Sequence, residues 1–400
     1  IDASPAYRVL HRAGFGPVPG QVQDVESQGI EAYLAEQLEP TDQDHPALMA
    51  ALYGIEPLRM DASELRDQAE HEVLRALQQA AILRAVYSRW QLRERLTDFW
   101  SNHFNVYGKK GYGAYRKATD ETQVIRKHAF GRFSDMLLAS ATSPAMLAYL
   151  DNQLNTEAGP NENYARELME LHTLGVDGGY TQRDVREVAR CFTGWTFETR
   201  YLRPRGKFRF DAERHDKGEK LVLGHRIPAG GGIEDGQRVL QILCEHPGTA
   251  RFLSGKLCRY FLGTGEGPAQ AAVEQAFAKS KGDLRHTVKA VLARKELVDG
   301  PPIVKRPFDL LVSALRGLNA TTDGDSPLQR HLDLMGQPLY LWPMPDGYPD
   351  AAESWTGSLL GRWNFAVALA GGQIARTSVP IDALLDRSAE AAFDTAASLL

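Results

Sequence analysis

Along most of this 400-residue chain, apolar residues recur at intervals of three and four, the spacing of helices with one buried face. Glu31 to Leu38 is amphipathic, and Glu64 to His103 reads as one long, charged, helix-forming run. Gly108, Gly111 and Gly113 mark a loop, after which helices are predicted over 121–138 and 144–150. Further helices are predicted over 236–243, 249–262 and 267–278, and again from Pro301. The aromatic, proline-rich stretch Leu341-Trp-Pro-Met-Pro-Asp-Gly-Tyr-Pro349 interrupts that tail. Period-two alternation is confined to Lys207-Phe-Arg-Phe210 and Lys220-Leu-Val-Leu223, which predicts a hairpin. The expected fold is mainly α: one continuous helical domain over 1–400, with a small β-hairpin insertion around 205–226.

One segment concentrates the chemistry. From Asn161 to Asp184, three glutamates, an arginine and a histidine share an apolar-periodic helix that ends in glycines. Asn161 suits its cap, and Tyr164, Leu168 and Leu171 form its apolar stripe. Asn163, Glu167 and Glu170 fall at i, i+4 and i+7, on one side of the helix. Two carboxylates that close repel, so one titrates high, as general acid–base work requires. Glu162, Arg166 and Glu170 also fit a salt-bridge ladder, which would make the same charges a solvated face. His172 stands where a histidine often serves only the helix dipole.

Thr181 and Asp184 have capping-box spacing for the next helix. The segment Asp177 to Asp184 matches only the second half of a calcium loop, because Thr173 and Gly175 occupy early ligand positions. His103 shares a stripe with Leu92, Leu96 and Phe99, which points it inward. His215-Asp216 lies in the predicted β insertion, where a ligand contact and an Asx-turn are both open. The chain has no HExxH, P-loop, GxSxG or dinucleotide-binding signature.

Composition narrows the classes. The chain is 43% hydrophobic and 24% charged, as globular domains are, and its net charge of -5 gives no reason to expect nucleic acid. No apolar run approaches membrane-spanning length. Cys191, Cys244 and Cys258 have no CxxC spacing and read as buried free thiols. The first residue is Ile1, which fits either a removed leader or a trimmed chain.

Six blocks together resemble the bacterial family catalogued as domain of unknown function 1800. They are Leu10-His-Arg-Ala-Gly-Phe-Gly16, Asp98-Phe-Trp-Ser-Asn-His-Phe104, the stretch from Glu162 to Trp195, and His215-Asp216 through Leu223-Gly224. Lys305-Arg-Pro-Phe308, and Asp346-Gly-Tyr348 with Trp355, complete them. The resemblance implies bacterial origin, export to the periplasm or beyond, and a single domain, but no reaction. The positions that carry it (His103, Asn163, Arg166, Glu167, Glu170, His172, Asp184, His215 and Asp216) are mostly polar, which favours a site over pure architecture.

The leading expectation is an exported hydrolase or lyase that cleaves a polysaccharide, with Glu167, Glu170 and Asp151 as the catalytic carboxylates and no cofactor. Asn163, Arg166, His103, His172, His215, Asp216 and Trp355 are the expected substrate-binding residues. Loop aromatics such as Tyr107, Tyr112, Trp342 and Tyr348 suit stacking on sugars. A divalent-metal enzyme using His103, Glu167 or Glu170, and His172 is the alternative. A non-catalytic exported binding or assembly protein is the third class.

Overall fold

The computed structural model describes residues 4–60, 64–198 and 207–381. Among the described residues, nineteen α-helices and three two-stranded antiparallel ribbons confirm the mainly α class. The larger apolar core runs from Ala6 to Leu297 and centres on Trp100, Phe104, Phe133, Leu168 and Phe192. A second core joins Phe15, Ile82, Phe308, Leu311 and Phe365.

Two sequence blocks hold these regions together. In Leu10-His-Arg-Ala-Gly-Phe-Gly16, the buried Arg12 guanidinium donates to the carbonyls of Leu262 (2.7 Å), Glu296 (2.8 Å), Gly300 (2.9 Å) and Pro301 (2.7 Å). Those of Leu262, Gly300 and Pro301 lie at or just beyond helix C-termini, where acceptors lack helical partners, and that of Glu296 also accepts the Gly300 amide. In Lys305-Arg-Pro-Phe308, Arg306 pairs with Asp98 and with Asp309, while Arg95 also pairs with Asp309. Tyr260 donates to Asp98 at 2.8 Å, and the Arg95 guanidinium sits 4.3 Å over its ring. The charges satisfy one another inside the protein, which is the condition for burying them.

The predicted run over 64–103 is divided. A short 3₁₀ turn precedes the helix Glu70–Tyr87, and a second helix begins at Gln91 and ends at His103. The break is local side-chain chemistry: Asp44 accepts from Ser88 and from the Arg89 amide, and Ser88 accepts from the Trp90 amide. The predicted 121–138 helix is likewise interrupted, by a π-helix Glu121–Arg126 and a break before the helix Phe133–Ala141.

The β prediction requires a correction. Phe208–Phe210 pairs with Trp195–Phe197, and Lys220–Val222 pairs with His225–Ile227, so the two alternating segments do not pair with each other. Trp195–Phe197 is buried at every position and lacks the alternation that betrays a strand. The second ribbon turns on Leu223 and Gly224, both at positive φ, as a two-residue hairpin demands. Residues 205 and 206 of the predicted insertion lie outside the described residues.

Candidate active site

The helix Asn163–Glu170 is anchored by asparagines at its start. The Asn163 amide donates to Asn161 Oδ1 at 2.9 Å, the Asn161 amide donates to Asn155 Oδ1 at 2.9 Å, and Asn155 Nδ2 reaches the Ala189 carbonyl at 2.8 Å. Asn163 Nδ2 in turn donates to the Leu150 carbonyl at 3.2 Å. Tyr164 and Leu168 of the predicted stripe are buried together with Ala165 and Met169, while Leu171 is half-buried. The helix stops at Glu170, short of His172. Both Leu171 and His172 amides turn back to the Glu167 carbonyl, at 2.9 and 3.1 Å, and the Thr173 hydroxyl reaches that of Leu168 at 2.7 Å. Gly175 closes the turn at positive φ, where a Cβ would lie 2.8 Å from the Phe252 ring.

Glu167 and Glu170 are each half-buried on this helix. Burial first, then the neighbouring Glu170 and Asp346, push the Glu167 carboxyl above its usual range, against the pull of Arg166. The rival ladder forms only in part. Arg166 pairs with Glu162 at 3.1 Å, and Glu162 also takes Arg186 at 3.3 Å and Gln182 at 2.6 Å. Among the described residues, neither Glu167 nor Glu170 has an ion pair with a lysine or arginine. Burial first, then the nearby Glu170 charge, hold the Tyr180 phenol above its usual range.

Two further charged groups lie nearby, and the sequence did not single out one of them, Lys256. Asp346 comes from the proline-rich loop and acts on both Glu167 and Lys256. Lys256, on the helix Pro247–Leu262, lies 5.7 Å over the Phe252 ring, and its ammonium is held below the usual lysine range, first by burial. A raised acid and a lowered base that share Asp346 as a neighbouring charge fit the pattern of acid–base sites. Asp346 was visible within a motif, but Lys256 left no signal in a helix of ordinary periodicity.

The loop carrying Asp346 is fastened from beneath. Asn105 Nδ2 donates to the carbonyls of Trp342 (3.0 Å) and Met344 (2.7 Å), and the Tyr149 hydroxyl donates to that of Pro343 (2.8 Å). Asn102 exchanges two hydrogen bonds with the Tyr348 backbone, at 3.0 and 2.7 Å. Trp342 Nε1 donates to Asp346 at 2.8 Å. Gly347 has φ +75°, and a Cβ there would lie 2.3 Å from the Asn102 carbonyl oxygen. Gly347→Ala is therefore expected to cost about 3 kcal/mol, read by denaturant unfolding. An unchanged midpoint would show that the loop is not clamped.

The other expected site residues divide clearly. His103 and His172 are neighbours, with ring centroids 6.0 Å apart, and both are buried. His103 Nε2 donates to the His172 carbonyl at 3.2 Å, whereas His103 Nδ1 and His172 Nε2 have no partner among the described residues. Burial, with the nearby Lys256 charge, drives His103 well below and His172 down to about 3. Asp151 is held by Lys110 at 2.8 Å and is not among the charges that act on Glu167. Trp355 is buried, donating to the Pro349 carbonyl at 3.0 Å and packing on Tyr348.

His215 and Asp216 serve the ribbons instead. His215 joins Thr193 and Asp235, the latter at 3.1 Å, and Asp235 takes Lys220 at 2.6 Å. Asp216 binds Arg190 through both oxygens, at 2.7 and 3.1 Å. Asp184 closes the predicted capping box on Thr181 and also accepts the Leu223 amide at 2.8 Å.

A pH prediction follows from the buried imidazoles. His172 titrates near 6.5 when unfolded and about 3 when folded, so the unfolded chain binds the proton more tightly. Its contribution is present above about pH 6.5 and is lost as pH falls toward 3, on the order of 4 kcal/mol in full. His172→Gln is expected to flatten the acid limb of a stability–pH curve, and an unaltered slope would contradict this account.

Two large concavities open elsewhere. A cleft of about 1530 Å³ is lined by the N-terminal helices and the helix Glu70–Tyr87, and another of about 1100 Å³ by Asp135, Leu240 and Phe277. Neither includes Glu167 or Glu170, so electrostatics and not cavity size marks the carboxylate face. Among the described residues, no group of three or more His, Cys, Asp or Glu side chains is arranged to hold a metal ion. All three cysteines are free, and no helix among those residues is long and apolar enough to cross a membrane. No curated protein and no solved structure matches the chain. A family model described as Protein of unknown function (DUF1800) matches residues 8–399, and the chain belongs to that family.

Proposed function

We propose that this chain is an exported bacterial enzyme, a carboxylate acid–base hydrolase or lyase acting on a polysaccharide. The observation that carries the proposal is Glu167: a half-buried carboxyl, raised by burial and by Glu170, without an ion-pair partner among the described residues. Such a group stays protonated to higher pH than an ordinary glutamate and suits the delivery of a proton to a glycosidic oxygen. Glu170 is the partner carboxylate, with Asp346 beside it; Asp151 is the weaker choice because Lys110 holds it. In a hydrolase the partner activates water or stabilises positive charge at the sugar carbon. In a lyase acting on an acidic sugar, Lys256 would take the proton and Arg166 would hold the substrate carboxylate. Trp342, Tyr149 and Tyr180 surround this face and suit contact with a sugar ring.

The test is a panel of purified bacterial and plant polysaccharides, assayed for new reducing ends and for the ultraviolet absorbance of an unsaturated product. The first signal identifies a hydrolase, and both together identify a lyase. A detected activity that survives Glu167→Gln with Glu170→Gln would sink the proposal. Loss on chelation, with recovery on adding zinc or manganese, would favour the metal-dependent alternative built on His103 and His172.

A further inference from the structure

Beside the N-terminal helix Pro5–Arg12, a cavity of about 330 Å³ is lined by Arg8, His11, Arg12, Arg95 and Lys305, with Asp309 as its acidic member. Two of the sequence blocks, Leu10 to Gly16 and Lys305 to Phe308, meet there without a part in the carboxylate face. Most of these charges are already committed. Arg12 is spent on four backbone carbonyls, Arg8 donates to the Val298 carbonyl at 3.1 Å, and Asp309 is shared between Arg95 and Arg306.

Two groups are not committed. The Lys305 ammonium donates to the Ser313 hydroxyl at 3.1 Å and has no ion pair among the described residues. The His11 ring makes no hydrogen bond among those residues, although its position is fixed. Its centroid lies 4.4 Å from that of Tyr7, and a Cβ on Gly16 would approach the ring to 2.7 Å. Positive charge predominates around His11, with Asp309 as the opposing acid. His11 is driven to about 3 by burial, then by Lys305, Arg95 and Arg316, with Asp309 opposing. Burial also holds Lys305 below the usual lysine range.

We infer that this cavity is a second binding site, for a small molecule carrying one oxyanion group (phosphate, sulfate or carboxylate) held by Lys305 and His11. Its volume exceeds that of the anion alone and lies at the small end for ligand pockets. An oxyanion would supply a charged acceptor to both side chains, and its charge would draw a proton onto His11. Binding is therefore coupled to proton uptake, and it tightens as pH falls.

Isothermal titration calorimetry of the whole chain with sodium sulfate, against sodium chloride of equal ionic strength, tests this directly. Sulfate keeps its charge across the range, so any pH dependence belongs to the protein. The expected result is saturable binding, with about tenfold higher affinity near pH 6 than near pH 8. Buffers of different ionisation enthalpy should reveal uptake of a proton near pH 6. Lys305→Met should weaken binding at least about tenfold. Because that variant can fail to fold, His11→Gln gives a second arm: it should keep some binding and lose the proton uptake. Sodium acetate in place of sulfate distinguishes a carboxylate site from one for tetrahedral anions. Heats from sulfate and acetate no greater than from chloride, or an affinity unchanged in Lys305→Met, would overturn the assignment. Glu167→Gln should leave sulfate binding intact, so this result stands or falls apart from the proposed enzymatic activity.

Discussion

Glu167→Gln is expected to lower polysaccharide cleavage by about 10²- to 10⁴-fold, the range for loss of one general acid, while the protein stays folded. The stability arm has the opposite sign from that of a structural glutamate. The folded-state pKa of Glu167 is raised, so the contribution of this group is full below the unfolded value and is lost as pH rises through the folded value. At neutral pH the ionised side chain is therefore a cost to the fold, and the amide removes it. The expected melting temperature near pH 7 is unchanged or higher than in the parent. A knitting role in the core predicts a lower melting temperature with no loss of activity. The two readouts together separate a site from a scaffold.

The largest loss of stability is expected at Arg306. This guanidinium pairs with Asp98 and Asp309 in the protein interior, and Tyr260 and Arg95 complete the group. Arg306→Met leaves Asp98 without an ion-pair partner among the described residues and leaves Asp309 with Arg95 alone. Breaking a buried pair from one side typically costs about 3–5 kcal/mol, because a buried charge is left uncompensated. Denaturant unfolding should show that loss, while Arg166→Ala, whose partner Glu162 is partly exposed, should change stability by about 0.5 kcal/mol or less. Equal effects at the two arginines would mean that the Asp98 network is solvated and not a structural hub.

What the sequence revealed tracks how local the governing interactions are. Tyr164 and Leu168 of the predicted stripe are buried, Asn161 accepts the first helical amide although Glu162 holds the cap position, and the Thr181–Asp184 capping box is present; all act within one helical turn or two. His103 was read as pointing inward from its stripe alone, and it is buried. Strand pairing was harder, since Phe208–Phe210 finds its partner across residues 199–206, and Trp195–Phe197 carries no alternation. The site was half legible. Glu167 and Glu170 share one helix, so their spacing was informative. Asp346 and Lys256 come from distant segments, and no periodicity encodes how Asp346 comes to act on both Glu167 and Lys256. His215 and Asp216 looked like loop ligands because their partners, Asp235 and Arg190, lie 20 and 26 residues away.

The most direct measurement is the titration of Glu167 itself, by carbon NMR of protein labelled at glutamate carboxyls, with the resonance assigned by its absence in Glu167→Gln. Here Glu167 is expected to titrate above the usual glutamate range, and to move back toward it in Glu170→Gln because a neighbouring charge has been removed. A Glu167 that titrates at or below the ordinary value, indifferent to Glu170, would contradict the acid–base site.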